Sequence, residues 1–235
     1  MIRFLLAAIA LARCLTAQTQ PLRQAEVQLE EGRSTLDEHT LLMARQAFAD
    51  CLQRDANNAP CAYDLARTES YLIRVKESQK DKKAADRWLD SAIESARRLV
   101  ALNDKSAEAH ALLADLYGAK IGSGGALAAM RYGSKADGEN QRAFQLDANN
   151  PRAHQVAGRK ALYAPRMFGG DIDKAIESFR KAATLDPRSD EAFVWLAIAY
   201  RKKGNETSAK SAIAEALRLN PRSVFAKRIQ AGATD

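Results

Sequence analysis

Apolar residues recur three and four positions apart along almost the whole chain, and no stretch alternates apolar with polar. "DEAFVWLAIAY" (190–200) and "SAKSAIAEALRL" (208–219) each read as one amphipathic helix, with Gly204-Asn205 breaking the chain between them. Glycine and proline are sparse, and β-branched residues do not cluster. The pattern predicts an all-helical chain with no sheet.

The helix pair is written more than once. "KAATLDP" closes at Pro187 and "EALRLNP" at Pro221, 34 residues later. A helix pair recurring at that interval is a repeat signal. Proline at both places stops a helix, because it lacks the amide proton and pushes the preceding residue out of helical conformation. Phe193, Leu196, Ala197, Tyr200, Gly204, Ala209, Ile213, Ala216 and Pro221 resemble the tetratricopeptide repeat pattern site for site. The resemblance implies an α-α solenoid, a right-handed superhelix of about five helix pairs with a short closing helix around 223–231.

Extending the pattern backwards places a small residue on each first helix at Gly32, Ala66, Ala114, Gly158 and Ala197, and an alanine on each second helix at Ala44, Ala92, Ala136, Ala175 and Ala209. Each of the first four alanines precedes the next small residue by 22 positions, whereas within a pair the distances are 12, 26, 22, 17 and 12. Helices that cross closely leave no room for bulk, so the constant spacing is expected to preserve packing between consecutive repeats. The variable one lengthens only the hairpin tips. The expected repeats are 25–58, 59–106, 107–150, 151–189 and 190–223, within a unit spanning 18–235. The extra 14, 10 and 5 residues of the middle three should project from one edge, tallest at the second repeat. Two sites depart from the pattern, Glu31 and Asn140 standing where large apolar residues are expected.

Composition changes the picture at the N-terminus. "MIRFLLAAIALARCLTA" (1–17) has an early arginine, a short apolar run and a small-residue end, the arrangement of a signal peptide cleaved near Ala17. The apolar run is too short to span a bilayer, which takes about 20 residues, and no later segment could span one. The expected location is periplasmic or secreted. Without Arg3 and Arg13 the chain carries 34 basic and 29 acidic residues, unevenly spread: residues 151–235 hold 16 and 9. In an exported protein that bias points to acidic protein or envelope surfaces and away from nucleic acid. Cys51 and Cys61 flank "LQRDANNAP". Two buried thiols are one reading; an oxidising compartment favours a disulfide.

No catalytic, cofactor or metal pattern emerges. His110 and His154 fall at equivalent packing sites on successive first helices, and His39 sits in a helix-start sequence. No HExxH occurs, and "GAKIGSGG" (118–125) lacks the ending and the preceding strand of a phosphate loop. It reads as a flexible hairpin tip. "FGGD" (168–171) reads as a tight turn with Asp171 capping the next helix. An enzyme is not expected.

Stacked repeats expose an extended concave surface suited to a protein or peptide partner. By the resemblance, first helices line it, and the partner-binding candidates are Tyr63, Arg152, Arg159, Lys160, Trp195, Arg201 and Lys202, with Glu26 and Glu30 at the other end. Trp195 either stands on the groove, because Leu196 takes the packing role, or is buried by the adjacent helix. The clamp that some tetratricopeptide domains use for C-terminal carboxylates is not supported, since its places hold Leu29, Tyr63, Ala111, Gln155 and Val194. The expected function is an exported, non-catalytic scaffold or adaptor in the cell envelope. The alternative is a periplasmic solute-binding accessory of a transporter, similar to transporter-associated tetratricopeptide proteins, with a pocket by Tyr63 and Tyr71. The tips carry Ile121, Met130, Tyr132, Tyr163, Met167 and Phe168, which either pack the long hairpins together or form a second contact surface, for a partner or for another copy in a homo-oligomer.

Overall fold

The computed structural model describes residues 20–233, and the signal-peptide expectation for 1–17 lies outside them. Among the described residues there is no strand. The helices are α1 (20–35), α2 (Glu38–Arg54), α3 (Ala59–Ser78), α4 (Lys82–Leu102), α5 (Ala107–Leu146), α6 (Pro151–Tyr163), α7 (Ile172–Leu185), α8 (Asp190–Lys202), α9 (Glu206–Leu219) and α10 (Val224–Gln230), with a 3-10 turn at Arg166–Phe168. None is long and apolar enough to cross a membrane.

Each of α2 to α10 begins on Asp, Asn or Ser, whose side-chain oxygen accepts an amide proton of the first turn. The turns after α2, α4, α5, α7 and α9 are copies of one design. At Asp55, Asn103, Asp147, Asp186 and Asn220 the amide still donates to the carbonyl four residues back. Three residues on, the amides of Asn58, Ser106, Asn150, Ser189 and Ser223 donate back to the carbonyls of Asp55, Asn103, Asp147, Asp186 and Asn220 themselves and open the next helix. Asp55 (φ −137°, ψ 96°) and Asp147 (φ −150°, ψ 101°) adopt the same non-helical conformation as Asp186 (φ −126°, ψ 85°), although alanine follows the first two and proline the last. Proline is therefore an accessory to the stop. The Asp/Asn and Asn/Ser pair, three apart, makes it.

The constant spacing of 22 is this turn with its two flanking half-helices. Two of the small residues, Gly32 and Gly158, serve a different contact from the one expected. A Cβ added at Gly32 would lie 2.6 Å from Leu41 Cγ, and one at Gly158 would lie 2.6 Å from the Phe179 ring. Both neighbours sit on the second helix of the same pair, so smallness secures the crossing within a pair.

Within α5 the chain reverses at Gly125 (φ 63°, ψ −146°), a conformation that only glycine adopts readily. Its two arms run antiparallel: Tyr117 and Tyr132, 15 residues apart, bring their rings to 5.5 Å, and His110 Nδ1 lies 2.5 Å from Glu139 Oε2. "GAKIGSG" is helix up to this one-residue turn. α3 and α4 have 20 and 21 residues against 13 and 14 in α8 and α9, so the second pair is longer by two helical turns in each arm. α6 and α7 are no longer than α8 and α9. Their additional residues form the folded 164–171 connection, in which Gly169 is left-handed (φ 96°) and Asp171 accepts from the amides of Asp173 and Lys174.

The core runs as a ribbon between helices, from Leu29, Leu41 and Phe48 through Leu89, Leu112 and Leu116 to Phe179, Val194 and Ile213. The Sγ atoms of Cys51 and Cys61 are 2.01 Å apart, a disulfide joining the end of α2 to the start of α3.

Candidate functional site

The first helices α1, α3, α5, α6 and α8 turn one face inward, and that face is charged. Arg67 and Arg74 are two helical turns apart on α3, as are Glu108 and Asp115 on α5 and Arg152 and Arg159 on α6. Seven-residue spacing stacks each pair along one stripe. Glu108 Oε1 accepts from Arg152 Nε at 2.5 Å and from the Tyr63 hydroxyl at 2.7 Å, while Oε2 accepts from Asn150 Nδ2 at 3.2 Å. Arg159 donates to Asp115. Arg67 donates to Asp64 and to Glu30 of α1 at 3.2 and 2.8 Å.

The stripe closes on itself. Arg33 of α1 donates to Asp190 of α8 at 2.7 Å, across 157 residues of sequence. Arg74 grips Glu191 with both terminal nitrogens, at 3.0 and 3.3 Å. Asn220 Nδ2 donates to Ser34 Oγ and Asp190 Oδ2, both at 3.0 Å, and Arg222 donates to Glu31 at 2.8 Å. The first helix pair is thereby clasped to the last across the concave side.

Electrostatics favour the paired state. Burial pushes the Glu191 carboxyl up, but the guanidiniums of Arg74 and Arg33 outweigh it and bring the group down to about 2. For Glu108, burial is likewise outweighed by Arg152, and its pKa falls below the usual range. Burial, helped by the Glu108 carboxylate, raises the Tyr63 phenol to about 12.

Three of the sequence candidates, Tyr63, Arg152 and Arg159, join this cluster, as does Glu30. Four do not. Trp195, for which the sequence leaves groove exposure and burial by an adjacent helix both open, is 6% exposed. Its indole stacks on Phe179, meets Tyr163 and Phe225 edge-on, and lies under the Arg159 guanidinium, with Nε1 buried and unpaired. The closing helix α10 supplies Phe225, which also lies 5.0 Å under the Arg74 guanidinium and so fills the groove at this end. Lys160 faces outward and pairs with Asp137 at 2.6 Å. Arg201 donates to the Ile229 carbonyl at 2.9 Å, tying α8 to α10. Lys202 donates to the Leu162 carbonyl at 2.6 Å, tying α8 to α6. Arg33, Arg67, Arg74, Asp190 and Glu191 went unread, although the seven-residue spacing of Arg67 and Arg74 is visible in the sequence.

Elsewhere, His110 is buried between Glu139 and the Asp104 carbonyl, 2.9 Å from Nε2, and His154 packs edge-on against Phe144. Among the described residues no set of His, Cys, Asp and Glu is placed to hold a metal. A hollow of about 210 Å³ opens between Leu52, Leu65, Ser95 and Arg98, and neither Tyr63 nor Tyr71 borders it.

Residues 169–231 match the family model for the tetratricopeptide repeat. TTC0263, a thermophilic TPR protein of Thermus thermophilus, is similar in structure with a TM-score of 0.65 at 22% identity, over 92% of this chain and 97% of that one. MamA (TM-score 0.41, 21% identity, 90% of this chain and 97% of that one) and YrrB, a TPR protein with an unusual peptide-binding site (0.41, 18%, 82% and 84%), are more remote, and only the first bears on the fold. No curated protein matches the chain in sequence.

Proposed function

We propose that this tetratricopeptide repeat protein is a non-catalytic scaffold that holds a protein or peptide partner, and that it does so in the cell envelope after export. Proteins of this fold generally serve as interaction scaffolds rather than catalysts. The observation that carries the reading is the charged inner stripe. Arg33, Arg67, Arg74, Arg152 and Arg159 are held in water-poor surroundings by carboxylates of this same chain. A guanidinium has five N–H donors, so a partner segment bearing carboxylates can bind donors that the internal carboxylates leave over, without displacing those carboxylates into unpaired burial. Tyr63 and Tyr71, on which a solute pocket would be built, are engaged by Glu108 and by the Arg74 guanidinium, which favours the adaptor reading.

Export is supported by the disulfide, which persists in oxidising compartments, and by the signal-like sequence of 1–17. N-terminal sequencing of protein from cells is expected to begin near Gln18; an intact Met1 in a cytosolic pool removes the envelope assignment. For the stripe, Arg152→Gln with Arg159→Gln is expected to release a partner captured by the unaltered protein while circular dichroism stays the same. Full retention by the double variant places the contact on another face.

A further inference from the structure

The apex of the α5 hairpin combines exposed apolar side chains with a long stretch free of negative charge. From Leu116 to Ala136 the chain has 21 residues without a single acidic one, and bears Lys120, Arg131 and Lys135. Leu127 and Met130 stand at this apex 80% and 83% exposed. A solvated hairpin of a water-soluble solenoid has no reason to hold both side chains in water. Five of the chain's 12 glycines also lie in this stretch. At Gly118, Gly122, Gly125 and Gly133 an added Cβ would meet nothing within 4 Å, so close packing demands none of them. Helical glycines without a packing reason loosen a helix. The apex is soft, apolar and free of negative charge.

Its neighbour adds positive charge at about the same height. Lys120, five residues before Gly125, pairs with Asp90 at 2.7 Å and approaches Asp86 at 3.5 Å, both within the first three turns of α4. That register sets the α3–α4 turn, "QKDKK" (79–83), level with the α5 apex to within about one or two helical turns. Lys80, Lys82 and Lys83 are exposed there, and no ion pair engages them among the described residues. Arg131 likewise only leans over its neighbour Tyr132. Two other occupants fit less well. A second copy would bring the same basic edge against itself, and nucleic acid offers nothing apolar to Leu127 and Met130.

The geometry points to this edge as a docking surface for an anionic lipid bilayer, in which Leu127 and Met130 enter the headgroup–acyl boundary while Lys80, Lys82, Lys83 and Arg131 meet the lipid phosphates. Shallow apolar insertion with flanking basic residues is how proteins lie on anionic membranes without spanning them. The edge lies away from the inner stripe, so it serves location and does not depend on the stripe.

Hydrogen exchange of the full chain, followed peptide by peptide, tests this with equimolar phosphatidylglycerol–phosphatidylcholine vesicles and with phosphatidylcholine vesicles. Slower exchange confined to about 118–135 and the adjoining 79–83 turn on the anionic vesicles, reversed by high salt, is expected. Leu127→Ser with Met130→Ser abolishes the slowing, and both positions are exposed enough to leave the melting temperature unchanged. Should that variant melt lower, Lys82→Glu with Lys83→Glu provides the same test through charge. Unchanged exchange at 118–135, even with vesicles bound through the N-terminus, overturns the proposal. So does equal slowing on phosphatidylcholine, or slowing without vesicles as protein concentration rises, which assigns the edge to self-association.

Discussion

Glu69 occupies the position on α3 that Tyr117 holds on α5 and Tyr200 holds on α8, three residues beyond the small residue of each first helix. The two tyrosines receive the same partner: Arg97 donates to Tyr117 at 3.0 Å and Arg180 to Tyr200 at 2.7 Å, each from the preceding second helix. At Glu69 the site is rebuilt as a buried polar knot. One carboxylate oxygen accepts from Arg45 and Ser91, both at 2.9 Å, and the other from Ser95 at 2.7 Å. Glu69→Ala leaves three donors facing an emptied space and is expected to destabilise by about 2–4 kcal/mol, at the lower end because Arg45 keeps some access to water. Chemical denaturation measures it, and a loss under about 0.5 kcal/mol removes the knot from the stabilising set. Gly170 is constrained by backbone, since a Cβ there would lie 1.9 Å from the Ala164 carbonyl oxygen. Gly170→Ala should therefore force the 164–171 connection open at about 1–3 kcal/mol, visible as faster hydrogen exchange in α7 before any global unfolding.

Among the elements, the hairpins vary and the turns between them do not. Helix type, number and the two-turn lengthening of α3 and α4 were legible because each depends on contacts close in sequence: apolar spacing, a capping side chain, a small residue at a crossing. For Trp195 the local pattern could not choose between groove and burial, because Phe225, which covers it, belongs to a helix outside the repeat and arrives only when the chain has folded. The shared Asp/Asn and Asn/Ser turn is present in the sequence at all five places, but proline, the stronger local stop signal, stands directly after the Asp/Asn at only two of them. The disulfide acts at this same scale, fixing one such turn. Cys51→Ser with Cys61→Ser is expected to lower stability by about 3 kcal/mol on the chain-entropy account. In the unaltered protein, alkylation under non-reducing denaturing conditions should label neither cysteine; two labelled thiols reject the bridge.

For the molecule as a whole, the clasp between the first and last pairs was the least legible feature. The inward curl of a solenoid is the sum of small rotations at every pair, and no local pattern encodes where the two ends meet. The clasp responds to acid in a definite direction. The Glu191 carboxyl is depressed in the folded state to about 2, from an ordinary value of 4.5. Its contribution is complete above that ordinary value and declines as the pH falls through the interval between the two. Small-angle scattering should show the radius of gyration growing over that interval while helicity persists. Arg33→Ala with Arg74→Ala should produce the same expansion at neutral pH, and an unchanged radius in that variant means the curl is held by helix packing alone.

The closed clasp also sets an order of events during synthesis. A linear array can complete each unit as it emerges, because every unit leans only on its predecessor. Here Arg33 leaves the ribosome 157 residues ahead of Asp190, its partner. At about 5–20 residues per second, it is without that partner for roughly 8–30 s. During that interval the opening pair is a half-supported end exposed to proteases and holdase chaperones. A chain crossing a membrane in extended form would pass through the same interval a second time, on the far side.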